Sequence, residues 1–221
     1  CLCLVFCDAG TNCTDRQHTN SSGNASNVTD FVFDGGVVDF SGNASHAISS
    51  TSEMTFKGGV NAKINNNGLC AMYINTGKIS ISADSTVEVS GNGKSEAAKG
   101  ADARGAINIA KASASLEVAK GATFTVTDNY TSAIRNNGTV TLGSGVIMRN
   151  GSMIPYGGGL NNFGTATIAE GVALYNNHAA ASGDDIASTG TLNIAKTGEG
   201  WALDGTEGTN DCTSAIDGWY K

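Results

Sequence analysis

The sequence predicts an all-β chain: a single-stranded right-handed parallel β-helix of about six rungs, each of about 25 residues. Three observations point to this fold. Short segments that open on a small residue and an aliphatic one recur at Ala47-Ile48, Ala71-Met72, Ala106-Ile107, Ala133-Ile134, Gly159-Leu160 and Asp185-Ile186, at intervals of 24, 35, 27, 26 and 26 residues. Self-similarity at that period marks a solenoid, whose unit cannot bury its apolar face without a neighbour. Within each unit the apolar residues alternate at period two, and nowhere do they follow the 3.6 period of a helix. The composition agrees: 30 Gly and 22 Asn against a single Pro suit a chain of many short strands and tight corners.

The last units read most clearly. Ala133 to Gly138 leads into Thr139-Val140-Thr141-Leu142 and then Val146 to Asn150. Gly159 to Gly164 leads into Thr165-Ala166-Thr167-Ile168 and then Val172 to Asn177. Asp185 to Gly190 leads into Thr191-Leu192-Asn193-Ile194 and then Trp201-Ala202-Leu203-Asp204. Three short strands per unit describe one triangular rung. Val140, Leu142, Ala166, Ile168, Leu192 and Ile194 then point inward in register, and Thr139, Thr165 and Thr191 point out. Leucine-rich repeats share this period but need a dense L-x-x-L-x-L frame that is missing here. Phe31-Val32-Phe33 and Val37 to Phe40 form a partial rung before the first. The unit from Ala71 is long because Gly91 to Arg104 is inserted, and such insertions leave a solenoid at a corner as loops.

Three regions follow. Residues 1–27 hold Cys1, Cys3, Cys7 and Cys13 and read as a cysteine-rich cap or a leader remnant; residues 28–208 form the β-helix; residues 209–221, with Cys212, read as a cap or the start of a further module. Cys70 stands alone. Six cysteines without paired C-x2-C spacing favour disulfides over zinc and fit an exported chain, with the pairing open. Charged residues are 15% of the chain and the net charge is -7, with the basic residues scattered singly. This argues against a nucleic-acid partner. No apolar run reaches the length of a bilayer-spanning helix.

The third strand of most units is followed by Asn three residues after an apolar position, giving Asn43, Asn67, Asn92, Asn129 and Asn177. In the remaining unit Asn150 falls one position early. Asn tolerates left-handed backbone, and its amide can bond to the Asn above and below, so these residues are expected to form a structural ladder. Phe40-Ser41-Gly42-Asn43, followed by Ala47-Ile48, resembles the F-x-x-N and G-G-A-I motifs of polymorphic outer-membrane proteins and related bacterial β-helix adhesins. Tyr156-Gly157-Gly158-Gly159-Leu160 with Leu174 to Asn177 is a looser copy. The resemblance covers about Val28 to Gly208. It implies display on a bacterial surface and adhesion to host cells, matrix or glycans, within a larger secreted or wall-attached protein.

The candidate binding surface is the inserted loop, with Lys94, Lys99 and Arg104, together with the corner bearing Tyr156, Tyr175 and His178. No cofactor or metal site is expected. Catalysis on polysaccharides needs paired carboxylates, or a base beside acidic metal ligands. Asp34, Asp39, Asp102 and Asp128 fall on different rungs or corners. Asp184 and Asp185 are the best acids for that alternative, although their place after a turn reads as a solvated corner. His46 and His178 follow the ladder Asn of rungs too far apart to share a ligand. Outward threonines raise ice binding as a minor alternative, but Glu53/Thr55 and Lys78/Ser80 interrupt the array.

Overall fold

The computed structural model describes residues 31–95, 105–153 and 156–195, and the backbone pairing of four short segments outside them, Asn12–Thr14, Ala202–Leu203, Ala215–Ile216 and Trp219–Tyr220. The chain winds through three parallel sheets in a fixed cycle, about 26 residues per turn for about six turns, with no helix among the described residues. Face one stacks Ile48–Ser50, Met72–Ile74, Ile107–Ile109, Ile134–Asn136, Leu160–Asn162 and Ile186–Ser188. Face two stacks Phe31–Asp34, Met54–Lys57, Gly77–Ile81, Ala114–Val118, Thr139–Leu142, Thr165–Ile168 and Thr191–Ile194. Face three stacks Asn12–Thr14, Val37–Asp39, Asn61–Asn65, Thr86–Ser90, Thr123–Thr127, Val146–Arg149 and Ala173–Tyr175.

The register follows the repeat. Ile48, Met72, Ile107, Ile134, Leu160 and Ile186 pair in sequence along face one. On face two Val140 pairs with Ala166 and then Leu192, while Leu142 pairs with Ile168 and then Ile194. Val140, Leu142, Ala166 and Ile168 are wholly buried; Leu192 and Ile194 are half-buried because Thr191–Ile194 is the last strand of its sheet. A one-residue slip would turn every such column outward, which is why the apolar alternation sets the register so strongly. The interior is one continuous column of apolar side chains. Near its start Phe33 stacks on Phe56 at 5.1 Å and meets Phe40 edge-on at 5.5 Å.

The corners explain the glycine. Between faces one and two, Gly138, Gly164 and Gly190 sit where a Cβ would lie 2.1 Å from the carbonyl oxygen of the turn below. No side chain fits such a stack. Between faces three and one, the residue before each ladder position takes left-handed backbone: Gly42, Asn66, Gly91, Asp128, Asn150 and Asn176 all have φ between 53° and 77°. Gly and Asn are the residues that adopt this conformation at least cost.

Beyond Ile194 the pairing departs from the repeat. Ala202–Leu203, expected as the third strand of the last rung, pairs antiparallel with Trp219–Tyr220, and face three ends at Ala173–Tyr175. Ala215–Ile216 pairs antiparallel with Ile186–Ala187 at the end of face one. A reversed strand occupies the unpaired N–H and C=O groups that a parallel stack leaves at its edge.

Candidate binding surface

The ladder side of the molecule is the corner between faces three and one. Asn43 Nδ2 donates to Asn67 Oδ1 at 2.8 Å, Asn67 Nδ2 to Asn92 Oδ1 at 2.8 Å, and Asn92 Nδ2 to Asn129 Oδ1 at 3.0 Å. Each of those oxygens also accepts the backbone N–H of the Asn one turn earlier. The turn groups of a buried corner are thereby satisfied without water. In the next turn the ladder position is Gly151, whose N–H donates to Asn177 Oδ1 at 2.9 Å. Asn177 therefore rejoins the line through backbone and does not touch Asn129. Asn150 is displaced because it belongs to the left-handed column, where its Nδ2 donates to Asp128 Oδ1 at 2.6 Å.

Two features of this frame lie outside what the repeat predicts. A second buried amide line runs at the end of face one, where Asn136 Nδ2 donates to Asn162 Oδ1 at 2.7 Å and Asn162 Nδ2 to Ser188 Oγ at 2.9 Å. The doublets Asn136-Asn137 and Asn161-Asn162 are the sequence signal for it. Asp185 is the second surprise. Its position after a turn predicts a solvated corner, but it is fully buried, with Asn177 Nδ2 donating to its Oδ1 at 2.7 Å. The reason is register: Asp185 precedes Ile186 as Ala47, Ala71, Ala106, Ala133 and Gly159 precede their own strands, so it lies on an inner column.

The same corner varies most from turn to turn. The inserted loop departs here, and Lys94 at its start is exposed. Lys99 and Arg104 lie outside the described residues, as do Asp102, Cys1, Cys3, Cys7 and Cys212, and Cys13 is described only through its backbone pairing. Further along, two excursions stack on one another: Ser152–Met153 pairs with His178–Ala179, and Tyr156 bridges to Ser182. Tyr156 is 48% exposed and His178 is exposed, and Tyr130, a turn earlier, is 49% exposed. Tyr175 is half-buried on the outer side of face three, in register with Arg149. His178 Nδ1 lies 3.6 Å from Asp184 Oδ1, which also accepts the Ala179 N–H at 2.7 Å. This places Tyr156 and His178 on neighbouring excursions of one corner.

The other acids act separately. Asp34 pairs with Lys57 at 3.2 Å, and Asp39 accepts the Ser41 N–H at 3.0 Å. Among the described residues no group of three or more His, Cys, Asp or Glu side chains could hold a metal ion. His46 lies near the opposite end of the stack from His178; its Nδ1 accepts the Cys70 N–H at 3.2 Å and its ring stacks on Tyr73. Cys70 is buried and not in a disulfide. On face two Thr139, Thr165 and Thr191 are register partners, but earlier turns replace the threonines with a Lys78–Glu117 ion pair.

The geometry defines a parallel β-solenoid whose corners are tied by buried asparagine ladders. No family model, curated protein or solved structure matches the chain.

Proposed function

We propose that this chain is a non-enzymatic, extracellular module of a bacterial surface protein, an adhesin-like stalk or binding surface for host glycans, matrix or cell-surface proteins. One observation supports the reading above the others. At the corner between faces three and one, a rigid amide-tied frame carries turn-specific excursions, and these present Lys94, Tyr130, Tyr156 and His178 to solvent. Exposed tyrosines on a fixed scaffold provide contact area at little conformational cost, the property a recognition surface needs. Motif resemblance to β-helix adhesins agrees with it.

A carbohydrate-active enzyme is the alternative, favoured by the oriented His178–Asp184 contact. Asp185 is a poor acid for it, being buried against Asn177. A glycan and matrix-protein array read for both retention and product release separates the two. Retention without turnover, reduced about tenfold by Tyr156→Ala combined with Tyr130→Ala, is the expected result. Released product would establish the enzyme, and full retention by the double variant would move the surface off this corner.

A further inference from the structure

The three faces end differently where the repeat stops. Face one is closed by Ala215–Ile216, which pairs antiparallel with Ile186 and Ala187. Face three ends at Ala173–Tyr175, and Trp219–Tyr220 lies alongside that strand without pairing to it. Face two ends at Thr191–Ile194, and no described strand follows it. The side chains record the same difference. Ile186 and Leu174, inward residues of the last parallel strands of faces one and three, are wholly buried, whereas Leu192 and Ile194 on face two are only half-buried.

The backbone of this strand is open as well. Thr191 and Ala195 donate their N–H groups to Gly164 O and Ile168 O of the turn before, each at 2.8 Å. Alternate residues of a parallel ladder bond to opposite neighbours, so Leu192 and Ile194 turn their N–H and C=O groups away from the stack. Folded proteins blunt such an edge with a charge, a proline or a bulge. Thr191-Leu192-Asn193-Ile194 has neither charge nor proline, while the strand at the other end of the sheet, Phe31–Asp34, carries Asp34. The result is a slot one strand wide, floored by Thr191–Ile194 and flanked by Ala215–Ile216 and Trp219–Tyr220.

We infer that this slot accepts an extended segment of another protein as an added parallel strand, with aliphatic residues at alternate positions and Thr or Ser between them. Face two itself defines that chemistry. Its six strand pairs are all parallel, and each sets two apolar residues inward around an outward one. The main-chain groups of Leu192 and Ile194 hold the segment, and their half-buried side chains receive its aliphatic positions. An acidic segment is disfavoured by the net charge of -7. A whole second copy does not fit, because its own stack needs the place beyond Ala173–Tyr175 that Trp219–Tyr220 holds. This inference goes beyond the surface-display reading and assigns an end of the stack that reading does not use.

Fluorescence anisotropy of a labelled peptide titrated with the full chain tests it. The probe is Gly-Thr-Val-Thr-Leu-Gly, the sequence from Gly138 to Gly143, and its control is Gly-Thr-Thr-Val-Leu-Gly, which breaks the alternation. We expect saturable binding of the probe and about tenfold weaker binding of the control. Methylating both threonine nitrogens of the probe, which face the strand in a parallel register, should abolish binding, and methylating the valine and leucine nitrogens should not. The reverse would overturn the parallel geometry. Ile194→Pro removes an N–H that has no partner within the stack, so it should melt close to wild type and bind about tenfold more weakly. Leu192→Lys, which sets a charge in the slot, should weaken binding as much. Thr167→Ala, on the outer side of the same sheet, should bind as wild type. The slot is overturned if the probe does not bind, if probe and control bind equally, or if Ile194→Pro and Leu192→Lys both bind unchanged. Sedimentation equilibrium should show a monomer, and self-association that Ile194→Pro removes would overturn this partner in favour of a second copy.

Discussion

Asn92 shows how much one amide does at the ladder corner. Its Oδ1 accepts from both the backbone N–H and the Nδ2 of Asn67, and its Nδ2 serves Ile64 O, Ser90 O and Asn129 Oδ1. All of this lies where solvent does not reach, since Asn92 is wholly buried. Replacing it with Ala strands polar groups on the turns before and after, and a buried group left without its partner costs about 1–3 kcal/mol. Asn92→Ala should therefore lower stability by about 3 kcal/mol, read as a fall in the urea midpoint at unchanged m. An unmoved midpoint would mean that water replaces the amide and that the ladder contributes little. The Asn period itself was legible from sequence because it recurs at a fixed offset from an apolar residue. The burial of Asp185 was not, because aspartate before a strand is the usual mark of a solvated turn, and only the register places this one on an inner column.

At the level of the strand, the two sides of face two obey different rules. Ile168 lies wholly buried with Leu142 and Ile194 as its register partners, whereas Thr167, one residue away, faces solvent. Ile168→Asp buries an unpaired charge and should destabilise by several kcal/mol. Thr167→Ala should stay within about 0.5 kcal/mol of wild type. Paired thermal melts check both, and equal effects would contradict the alternation. This alternation is why the strands were readable: period two separates core from water, and a slip exposes a whole column. Contacts between turns left no such trace. Tyr73, Asn108 and Arg135, separated by 35 and 27 positions, become register neighbours only through the stacking of turns. The same holds for the excursions at the ladder corner, since Ser152 and His178 become neighbours through pairing that their local sequence does not announce. The antiparallel segments after Ile194 also escaped the repeat, because Ala202-Leu203 keeps the apolar pattern of a rung while reversing its partner.

For the whole molecule, the consequence of stacking is that each turn contacts mainly the turns before and after it, so stability is close to a sum of turn and interface terms. Thr139 pairs with Thr165, so deleting residues 139–164 joins Gly138 to Thr165 at equivalent points of two successive turns. The deletion also removes Gly151, the ladder position without a side chain, where a Cβ would lie 2.3 Å from Gly158 O. Asn177 would then stack directly on Asn129 and extend the unbroken amide line Asn43, Asn67, Asn92, Asn129 by one member. The shortened chain should fold with an unchanged β-type circular-dichroism spectrum. Its m-value should drop by roughly one sixth, in proportion to the surface lost, since the stack has about six turns. Its midpoint should remain near that of wild type, because one turn and one interface are lost while a continuous ladder is gained. A folded product with a much lower midpoint would show that the excursion pairing of Ser152–Met153 with His178–Ala179 contributes more than the ladder does. An unfolded or aggregated product would mean that the turns are not interchangeable, and the solenoid would then have to be treated as one cooperative unit rather than as a sum of neighbours.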